Sequence, residues 1–129
     1  MRYPEQEYPH SELTKRIIGC AQAVHSELRN GLNKKIYENS LCVEFAHQQI
    51  NCSQQSSFIV NYRNKPVGKR IPDLIIDNKV IVETKVVEDF AADHIAQVLS
   101  YLKITGMGVG LLLNFKHASL KIKRITNIR

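Results

Sequence analysis

The run Gly108-Val-Gly-Leu-Leu-Leu-Asn114 constrains this chain more than any other stretch. Successive residues of a strand point to opposite faces of a sheet, so an apolar run of this kind is buried on both. A sheet covered by helices meets that demand, and the sequence supplies three helical patterns. From Ser11, read as an N-cap, Leu13, Ile17, Ala21, Val24 and Leu28 recur at spacings of three or four, and Asn30-Gly31 is a stop. A second helix is expected from near Asn33 to about Gln49. Its stripe is Tyr37, Leu41 and Phe45, broadened by Ile36, Val43 and Ile50. Residues 92–105 return to helical spacing with Ile95, Leu99 and Leu102 facing a core, and Gly106 ends that helix.

Strand character fills the interval. Asn51 to Ser57 reads as a polar connection, Phe58, Val60 and Tyr62 alternate with their neighbours, and Asn64-Lys65-Pro66 marks a turn. Ile71–Ile76 and Val80–Val86 are short β-branched runs separated by Asp77-Asn78-Lys79, which is a hairpin signature. Leu120–Ile125 alternates and reads as a last strand. Helix, helix, three strands, helix and two strands make one α/β sandwich, with a mixed sheet of about five strands flanked by helices. At 129 residues the chain fits one domain over 11–129, preceded by an irregular arm over 1–10.

Several function classes drop out at this stage. No apolar run approaches the roughly 20 residues that span a bilayer, and MRYPEQEYPH lacks a basic-then-apolar layout, so a cytoplasmic location is expected. Cys20, Cys42 and Cys52 form neither a disulfide framework nor a CxxC pair. No zinc set, phosphate-cradling Gly-rich loop or supported Ser-His-Asp arrangement is present. The net charge of +6 favours polyanionic partners.

The hairpin concentrates the chemistry. Pro72-Asp73 lies on one strand and Glu83-Thr84-Lys85 on the next, with Glu83 and Lys85 on the same face. A two-residue loop at 77–78 would pair Asp73 with Val82 and send Glu83 to the other face. A three-residue loop at 77–79 would pair Ile76 with Val80 and set Asp73 opposite Glu83; this loop, or an equivalent bulge, is the expected one. Both faces of these strands are apolar apart from the acidic pair, Thr84 and Lys85, so the pair needs a cation or a partner to neutralise it. A Mg²⁺ ion suits such a site, and the Thr84 carbonyl is a further possible ligand. A structural ion pair with Lys85 or an arginine is the competing reading.

More than the triad forms a pattern. Ala23-Val24-His25, Asn30-Gly31, Tyr37-Glu38, Pro72-Asp73 and Val80-Ile-Val-Glu-Thr-Lys85 precede His94-Ile-Ala-Gln97-Val-Leu-Ser-Tyr101-Leu-Lys-Ile-Thr-Gly106 and Gly110-Leu-Leu-Leu-Asn-Phe115. Together, over roughly residues 13 to 127, these resemble the GxxExxY protein family of the PD-(D/E)XK nuclease superfamily. The resemblance implies a restriction-endonuclease-like core, a helix before a mixed sheet and a second helix crossing it. It implies Asp73 and Glu83 as ligands of Mg²⁺ or Mn²⁺, Lys85 as the catalytic lysine, and Gln97 and Tyr101 as a Gln-x-x-x-Tyr element beside the site. Independently, His94, Gln97 and Tyr101 share one helix face. There is one departure: in Gly31-Leu-Asn-Lys34-Lys-Ile-Tyr37, lysine stands where the family has its acid. Glu38, one turn on, either reaches a similar place or pairs with Lys34 as an exposed i, i+4 pair.

Lys65, Lys69 and Arg70, just before Asp73, are the preferred phosphate contacts. Lys116, Lys121, Lys123, Arg124 and Arg129 form a second basic cluster that a solvated strand face explains equally well. His25 reads as a hydrogen-bonded structural residue. A metal-dependent nuclease acting on DNA is the first expectation, with a homodimer possible by analogy with the superfamily. A nuclease-fold module that binds nucleic acid with weakened catalysis, motivated by Lys34, and a plain assembly domain are the alternatives.

Overall fold

The computed structural model describes residues 10–127. The expected arm, but for His10, and Arg129 of the second basic cluster lie outside the described residues. The elements are α1 (Ser11–Leu28), α2 (Lys34–His47), β1 (Cys52–Gln54), β2 (Phe58–Tyr62), β3 (Lys65–Arg70), β4 (Leu74–Ile76), β5 (Val80–Lys85), α3 (Ala92–Thr105), β6 (Val109–Asn114) and β7 (Lys121–Thr126). Five strands form a mixed sheet in the order β1-β4-β5-β6-β7, while β2 and β3 make a separate two-stranded ribbon. β5 and β6 run parallel, joined through α3, and the other pairs are antiparallel.

The apolar run behaves as its pattern demands. Every residue of β6 is buried. On one face Val109, Leu111 and Leu113 join Leu74, Ile76, Val80 and Val82 against Ile17, Tyr37, Leu41 and Phe45 of α1 and α2. On the other face Leu112, Ile75 and Ile81 meet Val98, Tyr101 and Leu102 of α3. The α1–α2 turn is fixed by Tyr37, whose hydroxyl donates to the Arg29 carbonyl and accepts from the Leu32 amide, and whose ring stacks on Phe115 at 4.5 Å.

Several expectations need correction: Ile36 and Val43, expected to broaden the apolar stripe of α2, are both exposed. Cys52–Gln54, read as a connection, pairs with β4 as a short edge strand, a position where polar residues are tolerated. Lys65–Arg70, read as a turn and a basic tract, is β3; the Phe58–Tyr62 strand pairs with it and so stays out of the main sheet. Ser11 is the first helical residue and His10 takes the cap position with a positive φ of 56°. Finally, Leu99 is 39% exposed and Val98 faces the core instead. Gly110 accounts for that helix phase: a Cβ there would lie 2.4 Å from Val98 Cγ1, so α3 rests directly on β6.

The close approach gives a stability prediction. Gly110→Ala is expected to lower unfolding free energy by about 1–3 kcal/mol, because Val98 is stiff at χ1 and fully buried. Denaturant unfolding of the single variant and of Gly110→Ala with Val98→Ala checks it. The second change should recover part of the loss if contact is the cause.

Candidate active site

The turn after β4 decides the geometry. Asp77 and Asn78 both have positive φ, 53° and 54°, which short polar residues tolerate. The Lys79 amide donates to the Ile76 carbonyl at 2.9 Å, and Ile76 pairs with Val80. This is the three-residue loop, and its register carries Asp73, one residue before β4, opposite Glu83.

Both carboxylates are buried. Glu83 Oε1 accepts from the Asp73 amide at 2.7 Å. Asp73 Oδ2 accepts from the Thr84 amide and from the Thr84 hydroxyl, each at 3.0 Å. Thr84 therefore orients Asp73 through two donors. Burial, and after it the Asp73 charge, pushes Glu83 up to about 7, against the Asp73 amide, Lys34 and Lys85, which favour its ionised form.

Lys85 faces α3. Its Nζ donates to Gln97 Oε1 at 2.9 Å, and Gln97 Nε2 donates to the Tyr101 hydroxyl at 3.2 Å. The Arg70 guanidinium lies 4.6 Å from the centre of the Tyr101 ring. A continuous polar chain thus runs from Lys85 through Gln97 and Tyr101 to the end of β3, fixing the lysine head while its surroundings stay half-exposed. Lys65 and Lys69 lie exposed on β3. His94 leaves the expected stripe: its Nδ1 accepts from the Ala91 amide at 2.9 Å and closes the start of α3.

Two residues had little weight in the sequence reading. Lys34 Nζ lies 3.0 Å from Asp73 Oδ1 and 2.9 Å from Oδ2, so the lysine in the acid's position reaches the site itself. Burial opposes its charge, but the hydrogen bond and charge of Asp73, with Glu83 and Glu38, outweigh that and raise Lys34 above the usual lysine value. Glu38 is buried and accepts from Lys35 at 3.2 Å and from Gln54 and Gln55 at 2.8 Å each. It is therefore not the exposed partner of Lys34. A signal existed: Glu38 sits between Tyr37 and Leu41 on the apolar side of α2. His25 is hydrogen-bonded to the His117 carbonyl at 2.8 Å, and Arg124 donates to the Thr14 hydroxyl at 2.8 Å, tying β7 to α1.

The donor set fits a hard divalent cation. Two buried carboxylates stand side by side, and Glu83 is raised by its burial and then by the charge of Asp73. No group of three or more His, Cys, Asp or Glu side chains suited to a metal occurs among the described residues. Two carboxylates with water, a backbone oxygen or phosphate completing the shell is an arrangement that Mg²⁺ accepts and a structural zinc site does not.

A five-stranded mixed sheet between helices, with Asp opposite Glu-x-Lys on its central hairpin, defines a class of nuclease folds. The chain belongs to the PD-(D/E)XK nuclease superfamily, whose sequence profile matches residues 11–125. Among solved structures it is similar to SSO0001, at 19% identity and a TM-score of 0.58, covering 95% of this chain and 58% of that one. It is also similar to an alkaline exonuclease, LHK-Exo from Laribacter hongkongensis, at 10% identity and a TM-score of 0.56, covering 88% and 70%. No curated protein matches it. Among the described residues, no helix is long and apolar enough to cross a membrane.

Proposed function

We propose that this chain is a metal-dependent nuclease of the GxxExxY type that hydrolyses phosphodiester bonds of DNA. The observation that carries the reading is the buried Asp73–Glu83 pair beside a lysine whose head is fixed by Gln97. Asp73 and Glu83 would hold Mg²⁺ or Mn²⁺, with the Thr84 carbonyl as the further oxygen. The bound ion would polarise the scissile phosphate and lower the pKa of a water. Thr84 keeps the Asp73 carboxylate in place. Lys85, steered by Gln97 and Tyr101, orients the attacking water and offsets the charge that grows on the phosphate. The superfamily and the exonuclease neighbour support the nuclease reading.

The ribbon supports a nucleic-acid substrate. Residues 58–70 include Arg63, Lys65, Lys69 and Arg70 and no acidic residue. Arg70 joins this tract to the site through Tyr101. Release of nucleotides or fragments from DNA with Mg²⁺ or Mn²⁺, stopped by a chelator, tests the activity. Cleavage confined to RNA would move the substrate, and none on either would favour the weakened module for which the Lys34–Asp73 contact speaks. For the surface, Lys65→Ala with Lys69→Ala is expected to weaken duplex binding about tenfold in 0.1 M salt. It should also reduce the slope of log K against log salt by about two. Fluorescence anisotropy over a salt series, in a Glu83→Gln background that does not cut, measures both.

A further inference from the structure

Asp73 has both carboxylate oxygens in contact with protein donors. Oδ2 receives the Thr84 amide and hydroxyl, and the Lys34 ammonium lies 3.0 Å from Oδ1 and 2.9 Å from Oδ2. Near-equal distances mean that the ammonium straddles the carboxylate, the approach a cation makes to both oxygens of one acid. The two partners differ in freedom. The Asp73 side chain is 8% exposed and pinned by Thr84, whereas the Lys34 side chain is 41% exposed at the first turn of α2. The lysine head can therefore leave for solvent while the carboxylate stays.

We propose that Lys34 is a resident cation of this site and competes with the divalent ion for Asp73. The inference rests on the reading of Asp73 as a metal ligand. An ammonium and a divalent ion on the same carboxylate repel each other strongly, because the surrounding protein screens them far less than water does. Ion binding must then displace Lys34, and the observed affinity falls by the free energy of the contact that is given up. Lys34 neutralises the buried acid in the metal-free protein and makes the site a weak one for metal. An acid at residue 34 would act in the opposite sense.

Titration of the metal-free, full-length protein with Mn²⁺, read from the loss of the free-ion paramagnetic resonance signal, tests this without substrate. Wild type is compared with Lys34→Ala, Lys34→Gln, Lys34→Arg and Asp73→Asn. Lys34→Ala and Lys34→Gln are expected to bind Mn²⁺ about two- to fivefold more tightly, the range that an ion pair with one half-exposed partner supports. Lys34→Arg should stay near wild type, and Asp73→Asn should bind poorly. The neutral glutamine variant keeps most of the side chain's bulk, so agreement between it and alanine separates loss of charge from loss of packing. Equal or weaker binding in both neutral variants, with Asp73→Asn still impaired, overturns the role of Lys34 and leaves the metal site standing. Absence of binding in wild type and in every Lys34 variant overturns both.

Discussion

Glu83→Gln is expected to eliminate cleavage and, in the metal-free protein, to raise the melting temperature above pH 7. The two effects share one cause. Glu83 is buried beside Asp73 and is pushed from its ordinary 4.5 up to about 7, by burial first and by the Asp73 charge second. A carboxyl raised on folding contributes stability that is complete below the unfolded value and is lost as pH climbs through the folded one. The Glu83 contribution to the stability of the metal-free wild type should therefore fall by roughly 3 kcal/mol between about pH 4.5 and pH 7, the free energy that such a shift represents. Glutamine keeps the shape and still offers Oε1 to the Asp73 amide, but carries no charge to bury. Its advantage over wild type should open as pH rises through that range and reach several degrees at pH 8. Thermal scans at pH 5, 6, 7 and 8 in chelator check the profile. A wild type that gains stability relative to Glu83→Gln with rising pH would show that the charge of Glu83 is welcomed without a divalent ion.

Lys85→Ala is expected to reduce turnover by about 10²- to 10⁴-fold, the range for a positioned side chain acting in the transition state, while the fold and divalent-ion binding are retained. The lysine head touches Gln97 rather than Asp73, so its loss leaves the carboxylates with their own partners. Gln97→Ala should cost less, about tenfold, because it frees the lysine without removing it. Single-turnover rates at saturating Mn²⁺ separate the two, and Mn²⁺ titration of each variant shows whether binding is spared. Equal rates for wild type and Lys85→Ala would remove the lysine from the chemistry and leave it a structural partner of Gln97.

Much of the architecture was legible because it follows from periodicity. The nearly all-apolar β6 required two covered faces, and the stripes of α1 and α2 with Leu74, Ile76, Val80 and Val82 supplied one of them. The register of the central hairpin was open between two loops until the left-handed pair Asp77-Asn78 and the Lys79–Ile76 bond fixed it. What stayed hidden depends on contacts between distant segments. Cys52–Gln54 carries no strand pattern because an edge strand needs only backbone pairing, and β3 is exposed along most of its length, so burial left no mark on its sequence. Leu99 and Val98 are both apolar, and the close approach that Gly110 permits favours Val98 on the sheet side. In the site, Asp73, Glu83, Lys85, Gln97 and Tyr101 could be listed from spacing and resemblance, and the structure brings their side chains into two linked groups around the hairpin. Lys34 could be seen as a departure, but its span of 39 residues to Asp73 is a tertiary fact. The same holds for Arg70 over Tyr101.

The central claim is that Asp73, Glu83 and Lys85 form a metal-dependent hydrolytic centre. The most direct measurement compares cleavage of single- and double-stranded DNA by wild type and by Asp73→Ala, each with Mn²⁺ and with chelator. The account predicts cutting by wild type only when the ion is present and none by Asp73→Ala, whose fold is verified by circular dichroism. Cutting that persists in Asp73→Ala, or in chelator, would contradict it.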